Sequence, residues 1–236
     1  MIDFTPWDRL LQKYVKNGQV DYTRWKDESL QPLESWLQTT QTVALNSLNE
    51  EAQIAFLINL YNALTIRQVL QKYPIDSIRP TILGVPNLVS FLQFFKQSIH
   101  SISKQAGKLE NVSLDNIEHD ILRANHNESR IHFALVCASG GCPRLRSHAY
   151  FPEQLNEQLS EDAKSFITNS EKVRYEATSQ TLYCSKLFKW YEADFLAKAD
   201  SIAAYIQPYL NVQLPATVTL EYLPYSWQLN DQRISS

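Results

Sequence analysis

The feature that most constrains this chain is a helix with almost no polar face. Ser47-Leu48-Asn49-Glu50 reads as a capping box, and helical spacing then runs to about Lys72, before Tyr73-Pro74. Ile54, Phe56, Leu57, Ile58, Leu60, Ala63 and Leu64 leave the middle of this helix no side suited to water, so it must lie at the centre of the fold. Asn59 and Asn62 interrupt the run, three apart on one face. A buried amide left unpaired costs about 1–3 kcal/mol. Both are therefore expected to be buried and hydrogen-bonded, with at least one reaching toward the Cys137 loop or the Glu118–His119 helix. The stretch Ile54 to Ile66 is too short and too polar to cross a bilayer.

Around this helix the pattern is mostly helical. Thr5 suits an N-cap, Pro6 a first helical position and Asp8 a capping-box position, and Trp7, Leu10, Leu11, Tyr14 and Val15 recur until Gly18. Leu30, Leu33, Trp36 and Leu37 predict a second helix. Residues 75–110 read as loop and short helix, punctuated by Pro80, Gly84, Pro86 and Gly107. A capped helix is expected from Ser113 through Arg123, a strand over Ile131 to Cys137, and a helix over Pro152 to Ile167. Val173–Tyr175 and Thr181–Tyr183 predict a hairpin, Leu187 to Leu210 a helix, and Val218 to Tyr222 a late strand. The expectation is an α+β fold: one predominantly helical domain over 1–230, with a small antiparallel sheet, a long buried central helix and a flexible tail at 231–236.

Composition narrows the function classes. The formal net charge is −3 and no basic block tracks a phosphate backbone, which excludes nucleic acid as the expected partner. Met1-Ile2-Asp3-Phe4-Thr5-Pro6 lacks a basic segment followed by an apolar core, so a cytoplasmic, reducing location is expected. Three cysteines make no disulfide framework, and a chain of this length needs none, so all three are expected as thiols. No cofactor and no metal is implied: Cys137 and Cys142 are five apart, wider than a zinc knuckle, and not a Cys-x-x-Cys redox pair. Cys142 is still able to trap an oxidised Cys137 as a disulfide.

The segment that could carry chemistry is Ile131-His132-Phe133-Ala134-Leu135-Val136-Cys137-Ala138-Ser139-Gly140-Gly141-Cys142-Pro143. A rigid strand ending in a thiol, followed by a flexible turn, has the parts of a nucleophile and an oxyanion site. The plainer reading makes Cys137 a small core residue and the glycines a turn. A nucleophilic thiol needs a base. In a strand His132 and Cys137 would diverge, about 16 Å apart at ~3.3 Å per residue. His100, His126 and His148 sit in polar stretches and read as surface residues. His119 lies beside Ile117, Ile121 and Leu122, with Glu118 and Asp120 as neighbours, on a helix that the following loop can bring back toward Cys137. Glu118 points about 100° away from His119, so either Glu118 or an Asn of the central helix is left to orient the imidazole.

Taken in order, Ala55-Phe56-Leu57-Ile58-Asn59-Leu60-Tyr61-Asn62, Ile117-Glu118-His119, Phe133-Ala134-Leu135-Val136-Cys137, Cys142-Pro143, Leu187-Phe188-Lys189-Trp190-Tyr191-Glu192-Ala193-Asp194-Phe195 and Tyr225-Ser226-Trp227-Gln228-Leu229-Asn230 resemble the bacterial and plant family known as domain of unknown function 547. Leu57 departs from its more usual Trp. The resemblance implies that Glu118, His119 and Cys137 outrank Cys142 and His132, and it implies no activity. The function expected is a cysteine-dependent hydrolase or acyl transferase acting on a peptide or small amide. In it Cys137 is the nucleophile, His119 the base, Glu118, Asn59 or Asn62 the orienter, and the backbone N–H groups of Ala138, Ser139, Gly140 and Gly141 the oxyanion donors. The alternative is a non-catalytic peptide- or protein-interaction module, using aromatic residues such as Trp190-Tyr191 and Tyr222 to Trp227.

Overall fold

A computed structural model describes residues 2–83, 85–105 and 108–234. Its helices are α1 (Thr5–Tyr14), α2 (Tyr22–Thr40), α3 (Glu50–Lys72), α4 (Leu88–Lys96), a wider-wound π-helix (Asn116–Arg123), α5 (Leu155–Ile167), α6 (Leu187–Trp190), α7 (Glu192–Leu196) and α8 (Ile202–Ile206). The strands are β1 (Val15–Lys16), β2 (Gln19–Val20), β3 (Thr81–Ile82), β4 (Val85–Pro86), β5 (His100–Gln105), β6 (Lys108–Val112), β7 (Val173–Glu176), β8 (Thr181–Ser185) and β9 (Thr219–Leu223). The class is α+β, dominated by helices. Among the described residues no helix is long and apolar enough to cross a membrane.

α3 does what its composition demands: every residue from Ile54 to Ile66 is buried. Each large apolar side chain so placed contributes roughly 1.5–3 kcal/mol of transfer free energy. The helix begins one residue after Asn49, whose side chain accepts from Ala52 N at 3.0 Å, so Asn49 and not Ser47 is the cap. α1 and α2 pack with α3, stacking Trp7 on Trp36 at 5.5 Å and Tyr14 on Trp25 at 4.9 Å. A second apolar cluster gathers Phe133, Phe166 and Ile167 with Leu182, Phe188, Phe195 and Ile206, seating the C-terminal sheet and helices.

Several expectations need correction. Phe4, not Thr5, caps α1, and Thr5 is already helical, its N–H donating to Asp3 Oδ1 at 2.9 Å. Residues 75–110 hold the antiparallel β5–β6 hairpin, which short polar strands hid; Gly84 and Gly107 lie outside the described residues. The sheet is not purely antiparallel, because β8 pairs antiparallel with β7 but parallel with β9. The helix expected over Leu187 to Leu210 is broken into α6, α7, α8 and a final 3-10 turn. The tail fails as well for the described residues. Asp231 is buried, accepts from Tyr73 Oη at 2.9 Å, and is followed by a 3-10 turn over Gln232–Ile234.

The largest correction concerns Ile131 to Cys137. It is no strand: Ser129–Phe133 form a 3-10 helix and an irregular segment follows. Its backbone is paired by a side chain, since Asn62 Nδ2 donates to Ala134 O at 3.0 Å and Val136 N donates to Asn62 Oδ1 at 2.9 Å. A single amide thus supplies what a neighbouring strand would otherwise provide.

Candidate functional site

The segments that meet beside α3 enclose an open cleft of about 410 Å³. Cys137 and Cys142 lie at its wall, with His119 and Glu118 from the π-helix, Asp115 just before it, His132 from the 3-10 turn, and Trp190, Tyr191, Tyr225 and Trp227. Phe91, Leu92 and Phe95 of α4 complete it, which makes the lining predominantly aromatic and aliphatic.

Cys137 is half-buried and is joined to Cys142 as a disulfide, their Cα atoms 6.4 Å apart. This overturns the expectation of three thiols; Cys184 alone is unbridged, and burial pushes its thiol up to about 12. The turn between them is tight. Ala138 has φ +61°, Cys142 N donates to Ser139 O at 3.0 Å, and Cys137 N donates to Cys142 Sγ at 3.1 Å. Ser139 is buried, with its hydroxyl 3.4 Å from Cys137 Sγ and donating to Tyr225 Oη at 3.2 Å; that phenol lies 3.6 Å from Cys137 Sγ. Burial raises the Tyr225 phenol to about 12, so at neutral pH it keeps its proton and can donate to sulfur.

Gly140 and Gly141 do not serve as expected. Their amides are consumed by the C-terminal segment, Gly140 N donating to Gln228 O at 2.7 Å and Gly141 N to Ser226 O at 2.8 Å. Gly141 is required by a close approach instead, since a Cβ there would lie 2.6 Å from the Tyr225 ring. Asn59 and Asn62 are buried and hydrogen-bonded, as their place in α3 implies. Neither is bonded to His119. Asn62 braces the segment before Cys137, while Asn59 accepts from Trp7 Nε1 at 3.2 Å and Tyr150 N at 3.0 Å and donates to Tyr150 O at 2.8 Å.

Glu118 is buried and accepts from Tyr191 Oη at 2.5 Å. Burial first, and the Glu118 charge second, push Tyr191 and Tyr61 well above the ordinary phenol range, so both remain neutral donors. Tyr191 stacks on His132 with ring centres 3.8 Å apart and lies 6.5 Å from His119. His119 is about one-third exposed, with Nδ1 2.8 Å from Arg123 Nη1 and Nε2 3.8 Å from Asp115 Oδ1. Its orienting partner is Arg123, one helical turn on, and neither Glu118 nor an Asn. No hydrogen bond joins it to Cys137 among those described, although the two share the cleft.

The divergence of His132 from Cys137 holds only for a strand, which this segment is not. The 3-10 winding turns His132 inward, where it is buried and its Nε2 lies 2.7 Å from Asp194 Oδ2. Arg123 grips the same carboxylate with Nε at 2.6 Å and Nη2 at 3.0 Å. The bond from His132, then those from Arg123, hold Asp194 below the usual carboxylate range, while burial drives His132 downward. Arg123 is the i+4 neighbour of His119; Asp194 and Tyr191, some seventy residues downstream, stand in the 187–195 motif, but nothing local ties them to His132 or Glu118. His100 and His126 are also buried rather than exposed, His100 being 2.8 Å from Thr40 Oγ1. No group of three or more His, Cys, Asp or Glu suited to a metal occurs among the described residues.

No curated protein and no solved structure matches the chain. A family model described as a protein of unknown function, DUF547, matches residues 45–167, just over half of the chain. The match takes in α3, the π-helix and the Cys137–Cys142 turn, while the motifs at 187–195 and 225–230 lie beyond it. With Glu118, His119, His132 and Cys137 all inside the matched region, the chain belongs to the DUF547 family.

Proposed function

We propose that the cleft is the active site of a thiol-dependent hydrolase or acyl transferase acting on an amide, with Cys137 as its nucleophile. The observation that carries this reading is the meeting, in one open cleft, of a half-buried cysteine with two imidazoles and a buried carboxylate from three separate segments. A dithiol reductant must first pass two electrons into the Cys137–Cys142 bond, becoming a disulfide itself. The Cys137 thiol then gives its proton to an imidazole, and the thiolate, facing the Ser139 and Tyr225 hydroxyls, adds to the amide carbonyl. The C–N bond breaks as the amine leaves with that proton. Water, or an acceptor amine, then displaces the thioester sulfur and restores the thiol.

Alkylation of the reduced protein by iodoacetamide across pH, with Cys137→Ala as control, tests this reading. The expected result is a Cys137 thiolate formed well below the ordinary thiol value near 8.5. An ordinary titration would favour the second reading, an interaction module. That reading draws on the exposed Leu88, Val89 and Leu92 of α4, which extend the apolar lining out of the cleft.

A further inference from the structure

The two imidazoles of the cleft can be told apart by counting donors. A guanidinium has five N–H groups and no acceptor. Arg123 spends Nε and Nη2 on Asp194, and its Nη1 lies 2.8 Å from His119 Nδ1. His119 Nδ1 must therefore be the unprotonated nitrogen, already in use, and Nε2 carries the hydrogen. The lone pair a general base needs faces an arginine.

His132 is the converse case. Asp194, ionised by its fork with Arg123, only accepts, so His132 Nε2 carries the hydrogen across the 2.7 Å contact. Its Nδ1 keeps a lone pair, is buried, and has no hydrogen-bond partner. Such an atom costs free energy unless it has a use. The ring cannot swing away, because Tyr191 stacks on its face and Phe195 meets it at 5.6 Å centre to centre.

We infer that His132, oriented by Asp194, is the proton acceptor of this cleft, and that Arg123 makes His119 a neutral hydrogen-bond donor to the substrate. The inference rests on the thiol-dependent reading above. In the bridged state His132 Nδ1 has no partner; once reduction frees the Cys137 side chain to turn, its proton passes to that nitrogen. The imidazolium formed keeps its Nε2–H on Asp194, and the proton then leaves with the amine. The charged and titratable groups around His132 are Glu118 and Arg123 of the π-helix, Asp194 of α7, and Tyr191.

The test is Cys137 alkylation in the reduced full chain between about pH 5 and pH 10. His132→Gln is expected to move the thiolate limb upward, slowing labelling at neutral pH about tenfold for each unit of displacement. Asp194→Asn should move it the same way by less, and His119→Gln should leave it in place. A limb that moves with His119→Gln and not with His132→Gln overturns the assignment. An ordinary thiol profile in the unsubstituted protein instead sinks the thiol-dependent reading. Nitrogen-15 shifts of the two imidazoles in the unsubstituted protein give an answer even if His132→Gln fails to fold. Unprotonated Nδ1 on both rings is expected, and a protonated Nδ1 on His132 overturns the inference whatever the thiol does.

Discussion

Asn62 and Val136 are joined by a hydrogen bond of 2.9 Å between the Val136 amide and the Asn62 side chain, across 74 positions of sequence. Through it the central helix holds the residue just before Cys137. Asn62→Ala would leave that amide and the Ala134 carbonyl buried without partners. The expected loss of stability is roughly 2–6 kcal/mol, at about 1–3 kcal/mol per group, measured by urea denaturation. A loss below about 1 kcal/mol would mean that another group brings the segment to α3.

The two adjacent glycines should respond differently to alanine. At Gly141 a Cβ meets the Tyr225 ring at 2.6 Å, whereas at Gly140 its nearest neighbour is Ser226 Oγ at 3.4 Å. Gly141→Ala is expected to cost about 1–3 kcal/mol and to disturb the near-ultraviolet circular dichroism, because Tyr225 packs on Trp190 at 4.8 Å and Trp227 at 4.6 Å. Gly140→Ala should change neither signal, and equal effects at both positions would contradict this packing.

Cysteine accessibility gives a third check. In the folded, unreduced protein iodoacetamide should add to no cysteine, since Cys137 and Cys142 are bridged and the buried Cys184 thiol is pushed up to about 12. After mild reduction, peptide mapping should find label on the Cys137–Cys142 pair and still none on Cys184. Label on Cys184 before unfolding would refute its burial.

Stability should fall in mild acid because of His100. Burial, reinforced by Arg67, lowers this imidazole from 6.5 to about 4. Between those values the unfolded chain binds the proton and the folded chain does not, so stability is full above about pH 6.5 and drains away toward pH 4. The contribution is on the order of 3 kcal/mol. Replacing His100 by Gln should flatten this part of the stability profile relative to the unsubstituted protein, and identical slopes would count against it.

How much of this was legible in the sequence differs from residue to residue. The burial of α3, the need of Asn59 and Asn62 for partners, a helix ending at Ile167 and the β7–β8 hairpin all follow from period and polarity over short windows. Such local quantities survive folding. The run around His132 shows where that logic ends, because a short, mostly apolar stretch suits a buried strand and a buried 3-10 turn equally well. Only Asn62, arriving from α3, decides between them. The same holds for the cleft. Cys137, Glu118 and His119 stand out by type and setting, but the state of each depends on which partners the fold brings within bonding distance. Cys142, five residues on, bridges Cys137, Tyr191 claims Glu118, and Arg123, anchored on Asp194, occupies His119 Nδ1. Residue type determines which chemistry is available; hydrogen-bond geometry, a property of the folded chain, decides which nitrogen holds the proton.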